Sequence, residues 1–277
     1  MTEGSVSSGS LPPLRDVIAK YGLSARHSLG QHFLFDQNLC DRIVRCAGNL
    51  SDTTVIEVGP GPGGLTRALL RSNAKKIFAI EKDERCIQAI SDLMPSAQGR
   101  LEIIAADALK TDVTALGASP RRIIANLPYN VSTVLLINWL RNATAFAGMT
   151  LMFQKEVADR LTAAPGTKAY GRLSVLCQWL CDIRREFNVD KRAFTPPPKV
   201  TSTVVTLTPL AEPRAPAKWD DLEKVTAAAF GQRRKMLRTS LRAFDLDFPA
   251  LGIDPTARAE TLSVDSFCAI ARKISAK

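Results

Sequence analysis

The stretch Thr53–Arg71, TTVIEVGPGPGGLTRALLR, runs from an apolar segment through a loop of glycine and proline into a second apolar-patterned segment. TTVIEVG reads as a buried strand and GGLTRALLR as a helix. Between them Gly59, Gly61 and Gly64 match G-x-G-x-x-G, the spacing of a nucleoside-type ligand loop at a strand-to-helix turn. A tight turn that binds nothing would use the same glycines. The next strand, KKIFAIEKD, ends on Glu81, where an acidic side chain can take ribose hydroxyls, and this favours a ligand.

Two features of the loop turn the reading away from a dinucleotide. Pro60 and Pro62 lie inside it and remove N–H donors that a pyrophosphate would require. Glu57 precedes the first glycine by two residues, and a carboxylate there suits a cation better than a diphosphate. S-adenosyl-L-methionine carries a sulfonium and an ammonium and no phosphate. E-x-G-x-G after a first strand resembles the S-adenosylmethionine loop of class I methyltransferases. AADAL then places Asp107 at the end of a third strand, in position to accept a hydrogen bond from an adenine amine.

Outward from this loop, strands and helices alternate. Asp36 is the expected N-cap of a helix over DQNLCDRIVRCAGNL, and PLRDVIAKYGL reads as a shorter helix with Pro13 in its first turn. After KKIFAIEKD come ERCIQAISDLM as helix, LEIIAAD and RRIIAN as strands, VSTVLLINWL as helix and MTLMFQ as strand. Near-continuous apolar strands between helices imply a parallel sheet covered on both faces. IRREFNV and STVVTLTPL flank KRAFTPPPKV and suggest an antiparallel hairpin. AEPRAPAK reads as a linker, and the pattern from Trp219 onward is helical. The expected fold is α/β, a Rossmann-like class I methyltransferase sheet with a small C-terminal helical domain. Its expected boundaries are a flexible tail at 1–12, a catalytic domain at 13–210, a linker at 211–217 and an RNA-binding helical domain at 218–277.

IIANLPYNVST, Ile123–Thr133, ends a strand on an amide, a proline and a tyrosine. A turn explains these residues in isolation. On the same sheet edge as Gly59, Glu81 and Asp107 they fit a pocket for a flat ring bearing an amine. The lone pair of such an amine is delocalised into the ring. Two acceptors aimed at its N–H bonds, the Asn126 amide oxygen and the Leu127 carbonyl, would draw it toward tetrahedral geometry. Pro128 would stiffen the turn and Tyr129 would stack on the ring. Positioning of two bound reactants would supply most of the rate, with no strong base.

The totals agree with this chemistry. The 277 residues carry 37 Lys+Arg against 27 Asp+Glu, a formal charge of +10, which favours a polyanionic partner. Only two histidines occur, His27 and His32, so a metal centre or a Ser-His-Asp triad has little to draw on. None of the six cysteines forms a CxxC pair, and reduced, mostly buried thiols are expected. Cys177 and Cys181, one helical turn apart, read as core. No apolar run reaches the roughly 20 residues of a membrane span, and MTEGSVSSGSLPPL has no signal-peptide pattern. The expectation is a cytoplasmic protein with no membrane partner and no metal, and nothing demands more than a monomer.

Taken in order, SLGQHFLFDQN, IEVGPGPGGLT, IEKD, AADAL, NLPYNVST, FTPPPKVTSTVV and GQRRKMLRTSL resemble the ribosomal RNA adenine dimethyltransferase family, in particular its small-subunit branch, over nearly the whole chain. The resemblance implies that Leu34, Gly59, Glu81, Asp107 and Asn126 contact the cofactor or its neighbourhood, and Glu57, Gly61, Lys82 and Ala108, within the same motifs, are expected to line the cofactor site with them. His32 stands where the family often has asparagine, and its contact is carried over on that basis. The implied reaction makes N6,N6-dimethyladenosine at two adjacent adenosines near the 3′ end of small-subunit rRNA, with the rRNA or the assembling 30S subunit as partner. The motif also implies that Phe194 is a second aromatic over the target base, and a core phenylalanine would satisfy the same pattern. Arg234, Arg238 and Arg242, at steps of four in FGQRRKMLRTSLRAF, are expected on one face of an amphipathic helix, offered to phosphate. The pairs Lys75-Lys76, Arg121-Arg122, Arg184-Arg185 and Lys191-Arg192 are read as background field, and TAAPGTKAYGRL as an exposed loop bordering the RNA. Three other readings stay open: an assembly factor in which methylation is secondary, a large-subunit rRNA methyltransferase, and an NAD-dependent oxidoreductase resting on the glycine loop alone.

Overall fold

The computed structural model describes residues 11–23 and 32–275. Most of the expected N-terminal tail, His27 and the start of SLGQHFLFDQN lie outside the described residues. Helix α1 (Leu14–Lys20) follows Pro13, which stands at the N-cap rather than inside the first turn. A two-residue strand, β1 (Phe33–Leu34), leads into α2 (Gln37–Cys46). Asp36 caps α2 as expected, its carboxylate accepting from the backbone of Asn38 and Leu39.

The central layer then builds from β2 (Thr54–Val58), α3 (Gly64–Arg71), β3 (Lys76–Glu81), α4 (Glu84–Ser91), β4 (Leu101–Ala105), β5 (Arg121–Asn126), α5 (Ser132–Leu140) and β6 (Gly148–Gln154). Helices α6 (Lys155–Leu161) and α7 (Arg172–Leu180), neither of them expected, connect to β7 (Cys181–Val189). A short β8 (Phe194–Thr195) pairs with β1 in a separate two-stranded sheet, and the long β9 (Ser202–Pro209) completes the central layer. The seven-stranded sheet has the order β4-β3-β2-β5-β6-β9-β7. The first five strands are parallel, while β9 runs antiparallel to both β6 and β7. The chain proceeds outward from β2 to β4 and then crosses to β5. The carboxyl ends of β2 and β5 therefore flank a topological switch point, where open α/β sheets hold ligands.

Apolar side chains cover both faces of the sheet. Ile56, Ile123, Leu136, Trp139, Met149 and Phe153 form the core on the α5 side. Ile43, Leu50, Leu69, Ile77, Ile124 and Val204 form the core beneath α2 and α3. Every residue of β2 is buried, Glu57 among them. An ionisable group in the middle of a fully buried strand opposes folding unless something compensates it.

Beyond β9, residues 211–217 are mostly exposed but tied at two points. The Arg214 guanidinium donates to Gln178 O and Asp182, and Trp179 Nε1 donates to Ala215 O. Helices α8 (Trp219–Gly231), α9 (Leu237–Ser240) and α10 (Val264–Ser275) follow. Their core, with Leu222, Val225, Phe267 and Ile270, includes Tyr170, Val175, Leu176 and Trp179 from the α7 region. Arg141 at the end of α5 and Arg172 at the start of α7 both reach Glu223, each at 2.7 Å. The helical segment thus rests on α7 through a shared apolar core and a half-exposed ion-pair cluster.

Candidate active site

The glycine loop turns directly off β2. Gly59 and Gly61 have φ of +69° and +56°, a region that L side chains rarely adopt. A Cβ on Gly64 would lie 2.5 Å from the Leu34 carbonyl oxygen, so this glycine lets α3 approach β1. The loop amides are already committed. Gly59 N donates to Ile80 O at 3.0 Å, Gly61 N to Glu81 Oε2 at 3.2 Å and Gly63 N to Pro60 O at 3.0 Å. Pro60 and Pro62 have no N–H. Residues 59–63 therefore offer no free donor to a pyrophosphate, whereas carboxylates lie close by.

Those carboxylates come from three strand ends. Glu57 is 1% exposed and its Oε2 accepts from Thr66 Oγ1 at 2.7 Å. Burial pushes its carboxyl up to about 8, the Thr66 bond pulls the other way, and the nearby Glu81 charge adds to the rise. Glu81 is also buried, and its two oxygens accept three backbone N–H groups, from Gly61, Lys82 and Asp83. Asp107, half-buried, accepts from Leu109 N at 3.0 Å, and Lys82 Nζ lies 3.6 Å from its other oxygen. Together with Leu34, Gly59, Gly61, Lys82 and Ala108, these side chains line one continuous pocket.

The same pocket receives the turn after β5. Asn126, Leu127, Pro128 and Tyr129 are all on its wall. Asn126 Nδ2 donates to the main-chain oxygen of His32 at 3.1 Å, an arrangement that leaves Oδ1 as the free acceptor. The Tyr129 hydroxyl meets Ser202 Oγ at 2.5 Å. Burial pushes the Tyr129 phenol up, so it remains neutral at physiological pH. The carbonyls of Pro128 and Tyr129 are occupied, by the N–H groups of Val131 and Ser132 and by the Ser132 hydroxyl. The arrangement is a carboxylate-rich chamber for a cationic ligand, opening beside an amide acceptor and an aromatic face.

Three expectations need correction. Phe194 is 1% exposed and is absent from the pocket wall. It pairs with Leu34 across β1 and β8, and its ring meets His32 edge-on at 6.4 Å. It supports the site from behind, through its packing on His32 and its pairing with Leu34. The single helix over 230–244 does not form either. The chain leaves α8 at Gly231, and Met236 makes an antiparallel bridge with Arg258. Leu237 N then donates to Ala257 O at 2.8 Å before the short α9 begins. Arg234 lies in the turn, Arg238 in α9 and Arg242 in a following 3₁₀ turn, so they share no helix face. All three are exposed and form no ion pair among the described residues. Finally, only the tip of TAAPGTKAYGRL is open. Tyr170 is fully buried in the helical core, and Gly166 N donates to Glu260 O at 2.6 Å.

Of the background pairs, Lys75, Lys76, Arg184, Arg185 and Arg192 each have an acidic partner. Cys177 and Cys181 are buried and unoxidised. Ser202, Thr66 and Pro196 carry contacts that sequence reasoning missed. The opening of STVVTL on a serine is ordinary for a strand, and nothing local marks Ser202 as a tyrosine's partner.

Residues 22–276 match the model of the family described as ribosomal RNA adenine dimethylase. Ribosomal RNA small subunit methyltransferase A of Paramagnetospirillum magneticum is 61% identical over 271 residues, covering 96% of both chains. The protein of the same name from Rhodospirillum rubrum is also 61% identical, over 96% of this chain and 93% of its own. Among solved structures, a dimethyladenosine transferase from Plasmodium falciparum superposes with a TM-score of 0.74 at 25% identity, over 88% of this chain and 98% of that one. The 23S rRNA methyltransferase ErmE shares the fold, with a TM-score of 0.66 at 24% identity over 88% and 99% of the two chains. A family match across almost the whole chain, on the motifs that build the pocket, means that the chain belongs to the ribosomal RNA adenine dimethylase family and is an rRNA methyltransferase.

Proposed function

We propose that the protein uses S-adenosyl-L-methionine to dimethylate N6 of two adjacent adenosines in the 3′-terminal hairpin of small-subunit rRNA, during assembly of the small subunit. The observation that carries the reading is the meeting, in one pocket, of the Glu57, Glu81 and Asp107 carboxylates with the Asn126–Tyr129 turn. The names of the 61% identical relatives support the choice of subunit.

The residues fit the cofactor. Glu57 faces the cationic end, Glu81 retains a lone pair on Oε2 for a ribose hydroxyl, and Asp107 takes an adenine amine. The committed amides of the glycine loop fit a ligand without phosphate. Bound there, the cofactor supplies an electrophilic methyl group on a sulfonium. The protein's part is to hold the acceptor nitrogen. In the first transfer Asn126 Oδ1 takes one N–H of the exocyclic amine and the Leu127 carbonyl takes the other, which draws the nitrogen toward tetrahedral geometry and its lone pair out of conjugation with the ring; in the second, the one remaining N–H keeps one of these acceptors. Tyr129, fixed through Ser202, gives the base a face to stack on. An alkylated exocyclic amine is strongly acidic and loses its proton to water, so the absence of a strong base at this turn is no obstacle. We assign catalysis to residues 13–210 and RNA docking to residues 218–277, with Arg234, Arg238 and Arg242 as exposed phosphate contacts.

The test is methyl transfer from labelled S-adenosyl-L-methionine to unmethylated small ribosomal subunits, with modified nucleosides identified by mass spectrometry. Dimethyladenosine at two neighbouring positions near the 3′ end is the expected product. Transfer only to large-subunit rRNA, or no transfer from a protein that binds the cofactor, would overturn the assignment.

A further inference from the structure

His32 contacts the methyl-acceptor turn through Asn126 and Tyr129 and the segment after β8 through Pro196. Its Nδ1 is 2.8 Å from Pro196 O. A carbonyl only accepts, so Nδ1 carries the proton. Its ring lies 5.4 Å from the Tyr129 ring at 33°. Its main-chain oxygen accepts from Asn126 Nδ2 at 3.1 Å. Pro196 belongs to the segment that runs from β8 to Ser202, the first residue of β9. Ser202 in turn holds the Tyr129 hydroxyl. The contacts close a ring: His32 to Pro196, along the chain to Ser202, across to Tyr129, and back to His32.

We infer that His32 is a positioning residue that clamps the 194–202 segment against the acceptor turn, fixing Tyr129 and Asn126 relative to one another. The inference rests on the dimethylation reading for its catalytic consequence, not for the clamp itself. Each side of the ring is weak alone. A single neutral hydrogen bond and a single aromatic contact each contribute only modestly in water. A closed ring makes them cooperative, because release of Pro196 frees the segment that carries Ser202, and Tyr129 then loses its anchor and its neighbour together. Three consecutive prolines, 196–198, stiffen the segment, so one bond near its start constrains its whole path.

The clamp differs from a direct cofactor contact in what it demands of the side chain. The necessary feature is an N–H one bond beyond Cγ, reaching Pro196 O. Asparagine supplies a donor at that bonded position, while phenylalanine supplies a ring and no donor. His32→Asn is therefore expected to keep kcat within about threefold, and His32→Phe to lose at least about tenfold in kcat with the affinity for S-adenosyl-L-methionine unchanged by calorimetry. Ser202→Ala breaks the opposite side of the ring, and its effect on kcat is expected to be less than additive with His32→Phe. Amide hydrogen exchange on the full chain reads the clamp without RNA. Exchange at Phe194, Thr195 and residues 199–201, the positions of this segment with an amide proton, is expected to accelerate in His32→Phe and to stay as in the wild type in His32→Asn. Equal exchange in all three proteins would overturn the clamp, whatever the enzyme methylates. A weakened cofactor affinity in both variants at unchanged kcat would make His32 a cofactor contact instead. Failure of the wild type to methylate small-subunit rRNA would remove the dimethylation reading and leave the exchange experiment to decide the clamp.

Discussion

Glu57→Gln isolates the buried carboxyl at the base of the pocket. Glu57 is pushed up to about 8 from an ordinary 4.5, mainly by burial. This is the reverse of a salt-bridged acid. Between those two pH values the folded protein holds a proton that the unfolded chain has lost. The stability associated with Glu57 is thus complete below pH 4.5 and declines as pH rises through 8. The linkage amounts to about 3 kcal/mol lost by pH 7 and about 5 kcal/mol by pH 9, ceilings because pocket water screens a group on the wall. Glutamine keeps the acceptor for Thr66 and has no proton to lose. The variant is expected to match the wild type in urea unfolding at pH 4.5 and to exceed it progressively from pH 6 to pH 9. A wild-type curve that parallels the variant across this range would refute the assignment of a protonated Glu57.

The same group links cofactor binding to protons. With its carboxyl pushed up by burial, Glu57 is mostly protonated at pH 7. A sulfonium and an ammonium in the pocket favour its ionised form. Binding of S-adenosyl-L-methionine at pH 7 is then expected to release up to about one proton, read as a dependence of the calorimetric enthalpy on the ionisation enthalpy of the buffer. The release should fade toward pH 9.5, where Glu57 is already ionised. In Glu57→Gln the buffer dependence should vanish and affinity fall by about 10–100-fold, the value of a lost charged hydrogen bond. A buffer dependence that survives in the variant would assign the proton to another group.

The remaining predictions address separate parts of the site. Glu81→Gln should weaken cofactor binding by about tenfold or more and cost about 1–3 kcal/mol of stability, because an amide N–H₂ replaces an oxygen that backbone N–H groups require; calorimetry and urea unfolding measure the two. Gly64→Ala places a methyl group 2.5 Å from Leu34 O, so α3 and β1 must separate. A cost of about 1–3 kcal/mol and a raised cofactor Kd are expected, and an unchanged Kd would mean that β1 does not shape the pocket. Arg234→Ala with Arg238→Ala should lower RNA affinity and reduce the slope of log K against log salt by up to about two, since each phosphate contact contributes about 0.9. An unchanged slope would leave both arginines as solvated surface.

What the sequence disclosed followed from local causes. The apolar runs of β2, β3 and β5 are buried on both sides, so they read as strands without help from alternation. The loop at Gly59–Gly64 needs positive φ and close backbone approach, and both requirements appear as glycine. Helix α7 stayed hidden because it has no polar face of the usual width. Leu173 and Cys177 enter the core of the sheet while Val175, Leu176 and Trp179 enter that of the C-terminal helices. Such a helix gives no clean 3.6-residue signal. The arginine series failed for a different reason. Its spacing is helical, but the bridge from Met236 to Arg258 and the bond from Leu237 N to Ala257 O come from twenty residues further along, and they pull residues 232–236 out of the helix. Phe194 was ambiguous because burial by pairing with Leu34 is a tertiary fact, invisible in FTPPPKV.

The charge distribution reconciles two demands that conflict. A cationic cofactor calls for carboxylates, and a polyanionic substrate, arriving at the neighbouring acceptor turn, is repelled by them. At about 0.15 M salt, charges within roughly 8 Å still act on one another, so separation along the surface alone would not suffice. The protein hides its acids by depth and by pairing. Glu57 and Glu81 are 1% and 7% exposed, and burial favours the neutral form of Glu57. Asp107, the most open of the three, has Lys82 beside it on the solvent side. The chain as a whole carries a net charge of +10, and Arg234, Arg238 and Arg242 remain unpaired on the helical segment among the described residues. An approaching phosphate backbone therefore meets a basic exterior, while Glu57 gains its charge when a cation is there to face it. On this argument, Lys82→Glu should lower RNA affinity more than it lowers cofactor affinity, and parallel titrations of the two ligands would decide it.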